Sequence, residues 1–162
     1  KVGKRMDNEL QFHVSETMKH KNKVKDYLLF VSKVLRLRGR KHDDSKLQEP
    51  ERSIFARYTP KLRGCTYGSE EYKTFLREMK PALDCHYKIN SHHPEHYSDG
   101  IRGMNLIDLM EMFFDWMAAT ERQDDGDIRK SIEINKERFG YDDLLAQIFN
   151  NTVDYIEGGR ND

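Results

Sequence analysis

The residues best equipped for chemistry stand in the run His42-Asp43-Asp44-Ser45-Lys46. An imidazole nitrogen and a carboxylate oxygen on neighbouring residues can grip one metal ion from two directions. Lys46, three residues past Asp43, adds a point charge that can hold an anion beside that metal. A His-Asp dipeptide alone reads equally well as a helix N-cap in a solvated charge cluster, so its weight comes from its company. His20, His86, His92, His93 and Asp115 are the other polar residues on or beside apolar segments, and they are expected to converge on the pair. In Asn90-Ser91-His92-His93-Pro94-Glu95-His96, three imidazoles fall within five residues around Pro94, and His86 precedes His92 by six. Such a loop can present one or two ligands, or it can be a solvated surface turn.

The elements that must position these groups read as helices. Residues 1–14 are polar and form a short helix or arm, with His13 on the surface. Ser15 is suited to cap a helix running to about Arg38, with Gly39 as its stop. Val24, Tyr27, Leu28, Val31, Val34 and Leu35 follow i, i+3, i+4, i+7 spacing and predict one buried stripe, which His20 extends by a turn. Pro50 opens a helix to about Tyr58, with Ile54 and Phe55 inward. Residues 59–68 read as a loop punctuated by Pro60, Gly64 and Gly68. Ser69 opens the next helix, which Pro81 kinks or divides, and His86 lies at the end of its apolar face.

The helix from Asn105 to about Arg122 is apolar almost all round and predicts a central position. Its exceptions, Asp108, Glu111 and Asp115, fall at i, i+3 and i+7 and share a face. Three carboxylates on one stripe of a buried helix repel and are costly to desolvate unless cations meet them. The bland alternative is that this face is the solvent side. Asp115 is the expected ligand, and Glu111 or Asp108 suits the orientation of a ligand His. Asp127 caps a helix over 128–139, and a last helix covers 143–157.

Composition narrows the classes. The 162 residues suit one domain. Lys+Arg and Asp+Glu both number 28, so no basic excess marks a general nucleic-acid surface. Hydrophobic content is 36% against 35% charged, which favours amphipathic helices over an alternating sheet. No apolar run approaches the roughly 18 residues of a membrane span, and no secretory signal is visible. The chain starts at Lys1 rather than Met, which leaves room for a missing or processed N-terminal piece. Cys65 and Cys85 lack metal-type spacing and read as buried or free thiols in a reducing compartment, which gives a cytoplasmic expectation.

His20, then His42-Asp43 22 residues later, then an Asp on an apolar helix resembles the HD superfamily of metal-dependent phosphohydrolases, an all-helical fold named for its His-Asp pair. His20, His42, Asp43 and Asp115 match that family's ligand order, with Asp108 the alternative last ligand. Ser45-Lys46 is similar to the small residue and Lys that often follow the pair. Two-metal members add His ligands before the last Asp, places that His86 with His92 or His93 would fill. The doubled His, then Glu and an Asp-Gly turn, is loosely similar to the motif of cyclic-di-nucleotide-cleaving members. The chain also looks like a family from bacteria and phages, on its His-Asp-x-Ser-Lys and Asn-x-His-His-Pro-Glu-His segments, which brings no known activity. Two features depart from the HD pattern: His86 and His92 are closer together than usual, and Asp44 replaces an apolar residue.

The resemblance implies a single all-α bundle of about six helices over residues 1–162. It implies hydrolysis of a nucleotide or other small phosphorylated molecule by a metal-activated water, with one or two ions of Mn, Fe, Co, Ni or Zn. Metal ligands would be His20, His42, Asp43, His86, His92 and Asp115. Lys46 would neutralise phosphate charge in the transition state, and Glu51 or Glu49 would orient the water. Substrate contacts are expected from Lys46, His93 and Arg52, with Arg57 and Lys61 as further candidates. A homo-oligomer is compatible with the pattern. Two other readings are a di-iron site that activates oxygen, as in a minority of the superfamily, and a metal- or anion-binding helical module without turnover.

Overall fold

The computed structural model describes residues 2–66, 69–122 and 126–159, with side chains from residue 6 onward. Among these residues the protein is all-helical: seven α-helices, joined in part by short 3-10 turns. The chain divides into two compact units, Lys1–Lys41 and His42–Asp162.

The first unit is one helix, α1 (Val2–Lys41). Ser15 does not cap it and Gly39 does not stop it, which corrects both expectations. No proline interrupts the stretch, and Gly39 lies so near the end that its helix penalty, about 1 kcal/mol, is not enough to break it. The residue that departs from the helix is Asp43, whose φ of 61° is left-handed. Asp tolerates that conformation better than most residues. The stripe's spacing is present but its burial is not: Val24, Tyr27 and Leu28 are exposed, and Val31, Val34 and Leu35 are half-buried. His13 is exposed as expected.

The second unit opens with a 3-10 turn, Asp44–Leu47, followed by α2 (Glu51–Arg63), α3 (Glu70–Glu78) and α4 (Lys80–Ile89). Pro50 sits at the N-cap of α2. That helix continues through Pro60, so the expected loop over 59–68 starts late, and residues 67 and 68 lie outside the described chain. Proline's fixed φ suits a helix, and at this position near the end of α2 it removes only one amide donor. Ser69 caps α3 by accepting from the Tyr72 amide at 3.1 Å. Pro81 divides α3 from α4, which accounts for seven helices rather than about six.

Two further 3-10 turns, Pro94–His96 and Gly100–Gly103, lead to α5 (Leu106–Thr120), α6 (Ile128–Phe139) and α7 (Asp143–Gly159). Asp127 caps α6 as expected, accepting from the Arg129 and Lys130 amides. Helix α5 packs on α6 and α6 on α7, while α2 packs on α3 and α4 and the Asp44–Leu47 turn lies against α2 and α4. The core joins Ile101, Met112, Phe113, Ile132, Tyr141, Ala146, Phe149 and Val153. Phe113 and Phe149 stack at 5.0 Å. Helix α5 is less central than its composition suggests: Met112 and Phe113 are buried, but Leu106 and Phe114 are exposed. It borders the core on one face and carries Glu111 and Asp115 on another.

Candidate metal centre

Four segments of the second unit bring chemistry-bearing side chains together. The left-handed turn at Asp43 supplies His42 and Asp43, α4 supplies His86, the loop after it supplies His92 and His93, and α5 supplies Asp115. The imidazoles point inward through Nε2. His86 Nε2 lies 3.2 Å from Asp43 Oδ1, and His92 Nε2 lies 3.6 Å from the same oxygen. His42 Nε2 is 3.5 Å from Asp43 Oδ2 and 3.4 Å from Asp115 Oδ1. His86 Nε2 and His93 Nε2 are 3.0 Å apart.

The outer nitrogens are held from behind. His42 Nδ1 lies 2.9 Å and His92 Nδ1 3.2 Å from one oxygen, Glu111 Oε1. His86 Nδ1 lies 2.8 Å from Glu51 Oε2. An ionised carboxylate only accepts, so each imidazole donates from Nδ1, which frees the Nε2 lone pair of its neutral form for a ligand bond. A polar chain supports Glu51. Asn90 donates to Ser45 Oγ at 2.9 Å, and Ser45 donates to Glu51 Oε2 at 2.9 Å. Glu51 is itself only 1% exposed.

Two buried atoms at the centre make no hydrogen bond among the described residues: Asp43 Oδ1 and His92 Nε2. They face each other. Leaving such atoms unmet costs about 1–3 kcal/mol each. Two ligand atoms about 2.1 Å from a common ion stand about 3.0–3.6 Å apart for angles between 90° and 120°. The inward distances fall in that span. The donor atoms form two groups, Asp43 with His86, His92 and His93, and His42 with His92 and Asp115; within each, all lie within 4.8 Å of one another. The residues therefore fit a divalent transition ion, with nitrogen and oxygen donors of the kind that Mn, Fe, Co, Ni and Zn accept.

The charges show the same demand for cations. His42 is raised to about 10 by its hydrogen bond to Asp115, then by that to Glu111. Burial works to raise Asp43, yet His86, His92 and Lys46 hold its carboxyl far below the usual range. Burial likewise opposes ionisation of Asp115, and His42 outweighs it, so that carboxyl also lies low. Burial pulls His92 down, but the neighbouring carboxylates of Asp43 and Glu111 leave it raised. His93, with burial acting first and the charges of His92 and His86 next, falls to about 3 and stays neutral. A proton on His42 takes the place of an ion, and ion uptake would release it.

Most of the residues named from the sequence meet here, with changes of role. Asp115, not Asp108, faces the cluster. Asp108 is buried in a capping box with Asn105, where it accepts from Ser91 Oγ at 2.8 Å and Tyr97 OH at 2.6 Å. It thereby ties the His92-His93 loop to the start of α5. Lys46 Nζ lies 2.5 Å from Asp43 Oδ2 on the half-buried rim. Glu51 stands behind His86, on the far side of the ring from Nε2, which suits it to orient the imidazole rather than a water. Arg52 is exposed and bonds Glu49 at 3.1 Å, away from the buried face of α2. His20 lies in the first unit, apart in sequence from the residues of the cluster. It is exposed on α1, about 30 Å of helix from Lys41, and belongs to neither donor group. The support from Asn90 and Tyr97 was missed, although Asn90 lies one helical turn past His86.

Fold and site define an all-α protein with a His- and carboxylate-lined centre. The chain belongs to DUF5662, a family of unknown function, which it matches over residues 9–157. No curated protein and no solved structure matches it. Among the described residues, no helix is long and apolar enough to cross a membrane.

Proposed function

We propose that this chain is a metal-dependent hydrolase acting on a small phosphoester, with a nucleotide or related phosphorylated molecule as the leading substrate class. The observation that carries the metal reading is the facing pair of unmet buried atoms, Asp43 Oδ1 and His92 Nε2, 3.6 Å apart within a ring of inward imidazoles. His42, Asp43, His86, His92, His93 and Asp115 would hold one or two ions. When bound, a divalent ion supplies a water of lowered pKa and a Lewis acid for a phosphoryl oxygen.

The chain's own groups fit the remaining roles. Lys46 is the cation of the rim, its ammonium already on Asp43 and over the Phe55 ring at 5.0 Å. It would neutralise a phosphate oxygen, where charge builds in the transition state. Glu111 and Glu51 hold the imidazoles. His93, neutral and half-buried beside Tyr87, would line the substrate side. The HD-type order His42-Asp43, then His86 and His92, then Asp115 supports phosphoester hydrolysis over other metal chemistry.

The test is metal analysis of the purified protein joined to a panel of nucleotides and phosphomonoesters with Mn, Co and Ni. Metal-dependent phosphate release by the wild type, lost in Asp43→Ala, is expected. Release that survives Asp43→Ala would refute the site. Bound iron with oxygen consumption and no phosphate release would replace hydrolysis by oxygen activation.

A further inference from the structure

The imidazoles are held by two separate carboxylates, and they are not shared evenly. Glu111 Oε1 alone receives Nδ1 of both His42 and His92, at 2.9 and 3.2 Å. Glu51 Oε2 receives Nδ1 of His86 at 2.8 Å, a nitrogen that Ser45 Oγ also meets at 3.1 Å and Asn90 Nδ2 at 3.0 Å. The two donor groups follow this division. His42, His92 and Asp115 form one group, with both histidines on Glu111, whereas His86 enters only the group of Asp43, His92 and His93. Glu111 comes from α5 and Glu51 from α2, two helices anchored by different packing. Glu51 is buried and Glu111 partly buried, with side-chain exposures of 1% and 11%.

We infer that Glu111 is a positioning residue that sets His42 and His92 as one unit, and that Glu51 independently sets His86, so each half of the centre has its own carboxylate handle. The inference rests on the metal reading above and deepens it. It follows from geometry. A His ring turns about its side-chain bonds, and only a fixed acceptor on Nδ1 keeps Nε2 on the centre. With a single oxygen serving two rings, loss of Glu111 frees both His42 and His92. Loss of Glu51 removes the charged acceptor of His86, leaves it Ser45 Oγ, and reaches neither His42 nor His92. Because both Glu111 bonds end on one oxygen, a Gln carbonyl can accept them too. A shorter side chain cannot.

The test is Co(II) titration of the full chain, followed by its visible d–d absorption, for the wild type, Glu111→Gln, Glu111→Ala and Glu51→Ala. The melting temperature of each chelated protein is measured alongside. Removing a carboxylate behind a ligand His typically lowers metal affinity by about 10–100-fold. Glu111→Ala is expected to lose affinity in that range and to change the absorption band, because the rings holding the ion have turned. Glu111→Gln should keep the wild-type band and lose less affinity. Glu51→Ala should weaken binding while leaving a band different from that of Glu111→Ala.

A wild-type band and affinity in Glu111→Ala would overturn the inference and leave the metal reading intact. So would identical spectra for Glu111→Ala and Glu51→Ala, since the handles would not then be separate. Failure of the wild type to bind Co(II) would overturn both. If Glu111→Ala melts early when chelated, Glu111→Gln decides. An unchanged fold with restored band supports positioning, and an unchanged fold with the band still lost refutes it.

Discussion

Asp43→Asn is the perturbation that separates a metal centre from a charge cluster. Asp43 faces three imidazoles and a lysine, with Oδ1 3.2 Å from His86 and Oδ2 2.5 Å from Lys46. Asn also tolerates a left-handed backbone, so the turn at φ 61° survives the substitution. The change therefore removes charge and ligand strength with little change of shape. Four-ligand zinc sites bind with about 10–16 kcal/mol, so one ligand of four carries roughly 2.5–4 kcal/mol, or about 10²–10³ in affinity. A metal at 100 times its Kd stabilises the fold by about 2.7 kcal/mol. For a chain of this size that is a rise of about 5–11 °C in Tm. With affinity reduced about 100-fold, the same metal concentration gives about 0.4 kcal/mol, a rise of about 1–2 °C. Thermal melting in chelator and then in excess Co(II) or Mn(II) measures both shifts, and each protein serves as its own reference. A metal-induced rise in Asp43→Asn equal to that of the wild type would refute the assignment of Asp43 as a ligand.

Three further outcomes follow from the packing. Asp108→Ala removes a cap worth about 1 kcal/mol and the bonds from Tyr97 OH and Ser91 Oγ, worth about 0.5–1.5 kcal/mol each, so urea melts should show a loss of about 2–4 kcal/mol. Tyr141→Phe removes the 2.6 Å bond to the Ile132 carbonyl and should cost about 1 kcal/mol at pH 8. Burial, then Glu133, raises the Tyr141 hydroxyl above its ordinary value. Its stabilisation is therefore full below about pH 10 and lost as pH rises toward the folded value, so the gap between wild type and Tyr141→Phe in denaturant melts should close above pH 10. His20→Ala should leave the metal-induced melting shift unchanged, and a lost shift would support His20 as a ligand.

Helical periodicity was the strongest signal in the sequence, and it located elements better than their surroundings. The positions of α6 and α7, the Ser69 and Asp127 caps and the division at Pro81 were all legible because each depends on local chemistry. Burial was not. Val24, Tyr27 and Leu28 have the spacing of a buried stripe, yet they are exposed on α1. Spacing states that residues share a face, and only a partner element decides whether that face is covered. Helix α5 shows the converse. Its composition suggested a fully buried rod, whereas its role is to present two carboxylates beside a core-facing row.

The site was legible for a related reason. A His at the end of an apolar face and a carboxylate on an apolar helix are each costly to desolvate, and several in one chain are cheapest when they meet. That argument selects His86, His92 and Asp115 without any distance. It cannot separate Asp108 from Asp115, since both fall on the same face of α5. What separates them is the first turn of the helix: Asp108 is three residues past Asn105 and is taken by the capping box. Asp115, two turns further on, has no such local use and is left to meet His42. The argument also cannot give the left-handed turn at Asp43, which is neither Gly nor Asn. That turn makes the adjacency of His42 and Asp43 useful, because both side chains then reach one centre, with His42 Nε2 3.5 Å from Asp43 Oδ2. A strained backbone of this kind costs about 1–3 kcal/mol and persists only when its surroundings hold it. Here Lys46, His86 and His92 all hold the Asp43 carboxylate, so the strain and the ligand cluster have one cause.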